Sequence, residues 1–274
     1  MIIIVLLVLG LCLGSFVNAL VWRLREQSKS KAKVSKELSI LHGRSMCVHC
    51  KHELKPVDLI PVVSWLWLGG LCRYCHKPIS WQYPTVELLT ALLFMLSYIF
   101  WPFILNDRGE ILLVFWLALL VGLIALAVYD LRWYLLPDKI VYPLIWLGLL
   151  QGAVLLIFGP TGKELVALIS AVAIGGGIFY VIFQLSQGKW IGGGDVKLGF
   201  LLGLILADGG LAVLTIFLAS VLGSFVAIPL LATGKVKRTT RIPFGPFLIV
   251  AAIIARLFGA SIIHWYKRKL LLMG

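Results

Sequence analysis

Long runs of apolar residues, broken by short polar turns and lacking the two-residue alternation of a half-buried strand, are the feature that most restricts this chain. Residues 111–129, 140–158, 165–185 and 211–232 are each long enough to cross a bilayer core of about 30 Å as a helix. Lipid cannot satisfy backbone N–H and C=O groups, so only helices or a closed barrel can span it, and continuous apolarity selects helices. The chain is 61% hydrophobic and 14% charged, against about 25% charged in ordinary soluble domains. The expected fold class is therefore an all-α polytopic membrane protein.

Charge follows the same organisation. The formal net charge is +13, and eleven of the 25 Lys and Arg residues fall between Arg23 and Lys77. An excess of Lys and Arg marks cytoplasmic loops, which places residues 26–83 in the cytoplasm. No aromatic-and-basic module accompanies the charge, so no nucleic-acid partner is expected; lipid is the expected surroundings. Lys235, Lys237, Arg238 and Arg241 mark a second cytoplasmic loop.

In order, residues 1–25 read as a first transmembrane helix whose charges, Arg23 and Arg25, follow the apolar stretch, unlike a cleavable signal peptide. Ser15 and Asn18 inside it suit either helix–helix hydrogen bonding or a role near a site. Residues 26–83 form a cytoplasmic loop that begins as a solvated, mobile linker, and residues 84–274 form the transmembrane core, giving about eight helices in all. Glu87 falls in the first turn of the second span, where the helix dipole favours a carboxylate. Pro137 and Asp138 mark a helix start, and Gly175, Gly176 and Gly177 permit tight helix packing. The segment 196–207 is short. Lys267, Arg268 and Lys269 would lie outside under an eight-helix count, so either a short tail escapes the charge rule or that segment does not fully cross.

Four of five cysteines form two pairs, Cys47-Val-His-Cys50 and Cys72-Arg-Tyr-Cys75, separated by 21 residues. Each short turn presents two thiolates, and two such turns complete the tetrahedron of a structural zinc site. His49, His52 and His76 sit beside the pairs, but four thiolates already close the site. Cys12 lies alone in an apolar span and reads as a small buried hydrophobe.

Two carboxylates stand where apolar runs meet polar turns. Asp195 ends "WIGGGD" and Asp130 stands in "AVYDLRWYLLPD". An ionisable group beside apolar segments costs about 2.5–3.5 kcal/mol on insertion scales and is a functional hypothesis by default. Gly192, Gly193 and Gly194 lack a Cβ, so positive φ and close approach are open to them. Two aspartates held together can share a proton, one acting as base on water while the other protonates a carbonyl oxygen or leaving amine, which is amide hydrolysis by an aspartic mechanism.

These residues and their order resemble the bacterial type IV prepilin peptidases, the leader peptidase and N-methyltransferase family of GxGD aspartic membrane proteases. The resemblance is carried by "GSFVNALVWRL", "DLIPVVSWLWLGGLCRYC", "ISWQYPTVELLTALLF", "YDLRWYLLPD", "GGGDVKL" and "IPFGPF". It implies a catalytic pair at Asp130 and Asp195, GxGD glycines at Gly192 and Gly194, and zinc at Cys47, Cys50, Cys72 and Cys75. It implies cleavage of prepilins or pseudopilins after the glycine that ends a short basic leader, at the cytoplasmic face of the bacterial inner membrane. It also implies methylation of the new N-terminus with S-adenosylmethionine. Here Gly193 occupies the variable position of GxGD, and Tyr129 stands where the family commonly has an apolar residue.

The alternative from another class is a proton-coupled transporter with Asp130 and Asp195 as its relay. Transporters usually carry matching broken helices in an internal repeat, and the surroundings of the two aspartates are alike in position only.

Overall fold

The computed structural model describes residues 1–29, 38–39, 43–159, 161–234 and 242–271. Lys31, Lys33 and Lys36 of the linker and Lys235, Lys237, Arg238 and Arg241 of the second basic loop lie outside the described residues. The described chain is helical, with two isolated β-bridges, and divides into two compact units, Met1–Ile99 and Phe100–Gly274.

In the first unit, α1 (Ile2–Lys29) packs against α3 (Gln82–Ile99). Gly10 and Gly14 form a small-xxx-small stripe on α1, and a Cβ on either would stand 2.6 Å from a backbone Cα of α3, at Ala91 and Glu87 respectively. Close approach of this kind is what holds apolar helices together where no hydrophobic driving force separates them from lipid. The unit boundary falls after Ile99, beyond the loop boundary at residue 83 read from sequence, because α3 is seated on α1. The buried Asn18 donates to the Tyr83 carbonyl at 3.1 Å and accepts from the Gln82 side chain at 3.1 Å, so its polarity serves helix–helix hydrogen bonding.

Between these helices lie a short 3-10 turn at Pro56–Leu59, the small helix α2 (Val63–Trp67) and the two cysteine turns. The turns are copies of one device. Lys51 donates its N–H to the Cys47 carbonyl and His76 to the Cys72 carbonyl, and both adopt left-handed φ, 59° and 53°. Met46 bridges to Glu53 in the first, and Leu71 to Pro78 in the second. Asp58 braces the segment through Arg73 at 2.6 Å, the Tyr74 hydroxyl at 3.1 Å and the Lys55 N–H at 3.2 Å. Burial works against ionisation of Asp58, and those three donors outweigh it, holding its carboxyl below the usual carboxylate range.

In the second unit α4 (Asp107–Trp133), α5 (Asp138–Phe158), α6 (Thr161–Ser186), α7 (Gly193–Leu206), α8 (Gly209–Ala232) and α9 (Gly245–Leu271) form a bundle. Its start signals are local. The Asn106 side chain accepts from Gly109 N–H at 2.9 Å to cap α4, and Asp208 does the same for α8 through Leu211 N–H. α7 packs on α5, α6 and α9, and its face of Leu198, Leu201 and Ile205 is wholly buried. The α6–α7 contact depends on missing side chains: a Cβ on Gly175 would meet the Gly199 carbonyl at 2.8 Å, and one on Gly203 the Ala171 carbonyl at 2.6 Å. Gly175 thus serves the tight packing expected of it.

Arg256 of α9 is 3% exposed and lies among the rings of Trp101, Phe103 and Trp116, 4.9–5.9 Å from their centroids. Its Nε and Nη2 have no hydrogen-bond partner among the described residues, so aromatic faces carry the charge.

Among the described residues six helices, α1, α4, α5, α6, α8 and α9, are long and apolar enough to cross a membrane. The protein is a multi-pass membrane protein. α7, at 14 residues, is about 21 Å long and so shorter than a bilayer core. This bears on the 196–207 segment, whose shortness the sequence already signals.

Gly203→Ile is expected to force α6 from α7 and to cost about 1–3 kcal/mol, the range for overpacking a well-filled interior. Thermal unfolding in detergent would read this as a lowered midpoint, and an unchanged midpoint would reject the packing role.

Candidate active site and cysteine centre

The sequence places Asp130 in the last helical turn of α4. The chain stops there because Tyr134 takes left-handed φ of 56° and returns its N–H to the Asp130 carbonyl at 2.8 Å. The Asp130 side chain is 5% exposed and accepts a hydrogen bond from the N–H of Gly245, the first residue of α9.

Asp195 is in the first turn of α7. Gly192 is the N-cap, and the Asp195 carboxylate reaches back to accept the Gly192 N–H, half of a capping box. Asp130 and Asp195 lie close enough for charge on one to act on the other. Each carboxylate therefore rests on the N-terminal turn of a helix, where free N–H groups and the helix dipole favour negative charge. Leu198 and Leu136 stand beside this point: a Cβ on Gly245 would lie 3.6 Å from Leu198, and one on Gly194 3.2 Å from Leu136.

The glycines divide differently from the expectation. Gly192 has φ −74°, and none of Gly192, Gly193 and Gly194 takes positive φ. A Cβ on Gly192 would make an ordinary 3.6 Å contact with Asp195, and one on Gly193 nothing closer than 3.8 Å. The most crowded glycine of the site is Gly245, whose Cβ would stand 2.6 Å from Asp130 Oδ2, so that a side chain there would displace the carboxylate. Within "IPFGPF" the sequence alone gives Gly245 no role, because a glycine in a motif says nothing about which residue approaches it.

Lys197, two residues past Asp195, donates to Asp138 at 2.6 Å and lies 5.2 Å from the Tyr142 ring centroid, tying the start of α7 to that of α5. Asp138 stands at the expected helix start with this ion pair as its partner. Around the site Trp190, Leu131, Tyr134 and Leu135 are all more than half exposed, an apolar rim beside both aspartates.

In the first unit the Sγ atoms of Cys47, Cys50, Cys72 and Cys75 all lie within 4.8 Å of one another, with Cys47 and Cys75 3.9 Å apart. Four thiolates at 2.3 Å from a tetrahedral zinc are separated by about 3.8 Å, so the set fits a closed metal site. No histidine joins it among the described residues; His49 approaches the Pro78 carbonyl at 3.3 Å and His52 stacks on Tyr74 at 3.8 Å.

The chain matches the family models of the bacterial peptidase A24 N-terminal domain over residues 8–101 and of the type IV leader peptidase family over residues 117–228. It is 36% identical to the prepilin leader peptidase/N-methyltransferase of Stutzerimonas stutzeri, covering 95% of this chain and 92% of that protein. The corresponding protein of Pseudomonas aeruginosa is 36% identical over 95% of this chain and 91% of its own length. That of Bacillus subtilis is 30% identical over 97% and 98%. No solved structure matches. Two models in the expected order and full-length relatives above 30% identity agree with the two-unit division, and the chain belongs to the type IV leader peptidase family.

Proposed function

We propose that this protein is a prepilin leader peptidase whose catalytic pair is Asp130 and Asp195. The observation that supports the reading is that these two carboxylates, each hydrogen-bonded to a backbone N–H at a helix N-terminus, lie close enough for charge on Asp195 to act on Asp130, beside an apolar rim. One carboxylate takes a proton from water, whose oxygen attacks the scissile carbonyl carbon. The other, protonated, gives its proton to the carbonyl oxygen. Collapse of the tetrahedral intermediate breaks the C–N bond as the leaving nitrogen is protonated, yielding a carboxylate and a free amine.

Prepilins and pseudopilins are the substrates, cleaved after the glycine that ends a basic leader. A cytoplasmic leader followed by an apolar helix puts the scissile bond at the inner face of the bacterial inner membrane, and the excess of Lys and Arg between Arg23 and Lys77 supports the same side for the chain's polar ends, the side this reading assigns to both aspartates. The exposed Trp190, Leu131 and Leu135 suit the apolar helix that follows the cut. Prepilin leader peptidase/N-methyltransferase is the name of the relatives above, and the second activity follows from it: methylation of the new amine, with S-adenosylmethionine supplying the methyl group. Cys47, Cys50, Cys72 and Cys75 would hold zinc in a closed, structural role. The transporter alternative draws no support from the fold or the relatives.

Asp130→Asn and Asp195→Asn are each expected to lower cleavage of a model prepilin by about 10²–10⁴-fold without a change in thermal midpoint. The assay is mass spectrometry of the product in liposomes, and retained cleavage in either variant rejects the pair.

Gly245→Ala drives a methyl into Asp130. It is expected to cut kcat about 100-fold, the scale of a 1 Å misplacement, with little change in KM. Gly223→Ala, whose added Cβ would make only ordinary contacts, serves as the control. Equal kcat in the two variants would remove Gly245 from the site.

Purified protein should carry one zinc per chain. The double variant Cys47→Ser, Cys72→Ser should lose it and melt earlier, and unchanged metal content by mass spectrometry would refute the assignment.

A further inference from the structure

The first unit holds a partly open cavity of about 130 Å³ among α1, α3 and the cysteine turns. Glu87 lines it with Ser15, Trp22, Trp65 and Tyr83, and Cys47 and Cys72 form part of the same wall. By volume it has room for about ten water-sized groups.

Charge makes this cavity informative. Glu87 is 6% exposed; it accepts from the Val62 N–H at 2.7 Å and from the Ser15 hydroxyl, and it enters no ion pair among the described residues. The other charges on the wall are engaged elsewhere. Arg73 pairs with Asp58 at 2.6 Å, and Arg23 donates to the carbonyls of Gly43 and Ser39 at 2.9 and 3.2 Å. A buried carboxylate without a counter-charge costs several kcal/mol, and a carboxylate with two donors has about two lone-pair positions left.

The backbone is arranged to hold that carboxylate still. Val62, a β-branched residue, takes φ 61° and ψ −50°, a conformation L side chains rarely adopt, and it is the Val62 amide that meets Glu87. Trp65 and Tyr83 add aromatic rings to the lining, the surface that best receives a weakly hydrated cation, while Trp22 already carries the Lys51 ammonium 4.5 Å from its ring centroid.

We propose that this cavity binds an onium cation, the sulfonium centre of the methyl donor, with Glu87 as its counter-charge. This rests on the methyl-transfer reading above and adds where the donor binds. The same chemistry would fit the ammonium of a peptide N-terminus, so the test separates the two.

Titration calorimetry on the full chain in nanodiscs compares S-adenosylmethionine with S-adenosylhomocysteine, whose sulfur is uncharged. Wild type should prefer the sulfonium. Glu87→Gln should weaken S-adenosylmethionine about thirtyfold or more, the lower end for removing one partner of a buried charge pair, and leave S-adenosylhomocysteine nearly unaffected. Ala19→Leu, which fills the cavity from α1, should weaken both. Hydrogen exchange on the unmutated protein needs no variant to fold: S-adenosylmethionine should slow exchange across residues 59–68.

Undiminished binding and preference in Glu87→Gln, or no protection of residues 59–68 while the donor binds, overturns the site and leaves methyl transfer standing. Absence of any S-adenosylmethionine binding to a protein that still cleaves prepilin overturns the methyl-transfer reading with it. Protection of residues 59–68 by a mature-pilin peptide alone, and not by S-adenosylmethionine, assigns the cavity to the ammonium and defeats the proposal.

Discussion

A carboxylate among apolar helices needs donors, and the choice of donor decides what the group can still do. In both units the donor is a backbone N–H. Gly245 gives one to Asp130, Gly192 gives one to Asp195, and Val62 gives one to Glu87. A lysine or arginine in those places would hold each carboxylate in a fixed ion pair. An amide stabilises the anion while leaving lone pairs open to a proton, a water or a cationic ligand. Where the chain wants a carboxylate only as a brace, it supplies the cation: Asp58 has Arg73, Asp138 has Lys197 and Glu164 has Arg108.

That contrast explains why glycine matters more at Gly245 than at the three glycines before Asp195. A backbone amide meets a carboxylate from another helix most closely when nothing projects between them, and a Cβ at Gly245, 2.6 Å from Asp130 Oδ2, would push the carboxylate off its donor. Gly192 serves a donor within its own turn, where the capping geometry leaves 3.6 Å of room for a side chain.

Much of this was legible before any coordinates. Apolar runs without alternation announce helices, paired cysteine turns announce a four-thiolate cluster, and Asp130 and Asp195 stand out as carboxylates at the ends of apolar runs. What stayed hidden are distances between segments remote in sequence. Gly245 reads as one more glycine until α9 is seen against α4. Arg256 reads as an anomaly inside a span until Trp101, Phe103 and Trp116 are seen around it. Glu87 has a sufficient local explanation in its first-turn position, and that explanation hides that it enters no ion pair among the described residues, which is a property of three dimensions.

The cysteine turns acquire a second consequence from Glu87. Val62 can keep an unfavourable φ only if the segment around it is fixed at both ends. One end of that segment follows the Cys47–Cys50 turn and the other enters the Cys72–Cys75 turn, so bringing four thiolates to one point closes the loop that carries Val62. On the opposite side Gly14 lets α1 pack so close that a Cβ there would stand 2.6 Å from the Glu87 Cα, which fixes the backbone that bears the carboxylate. A metal held by these four thiolates would therefore govern the cavity without performing chemistry, by holding the strained amide against a buried carboxylate that lacks a cation among the described residues.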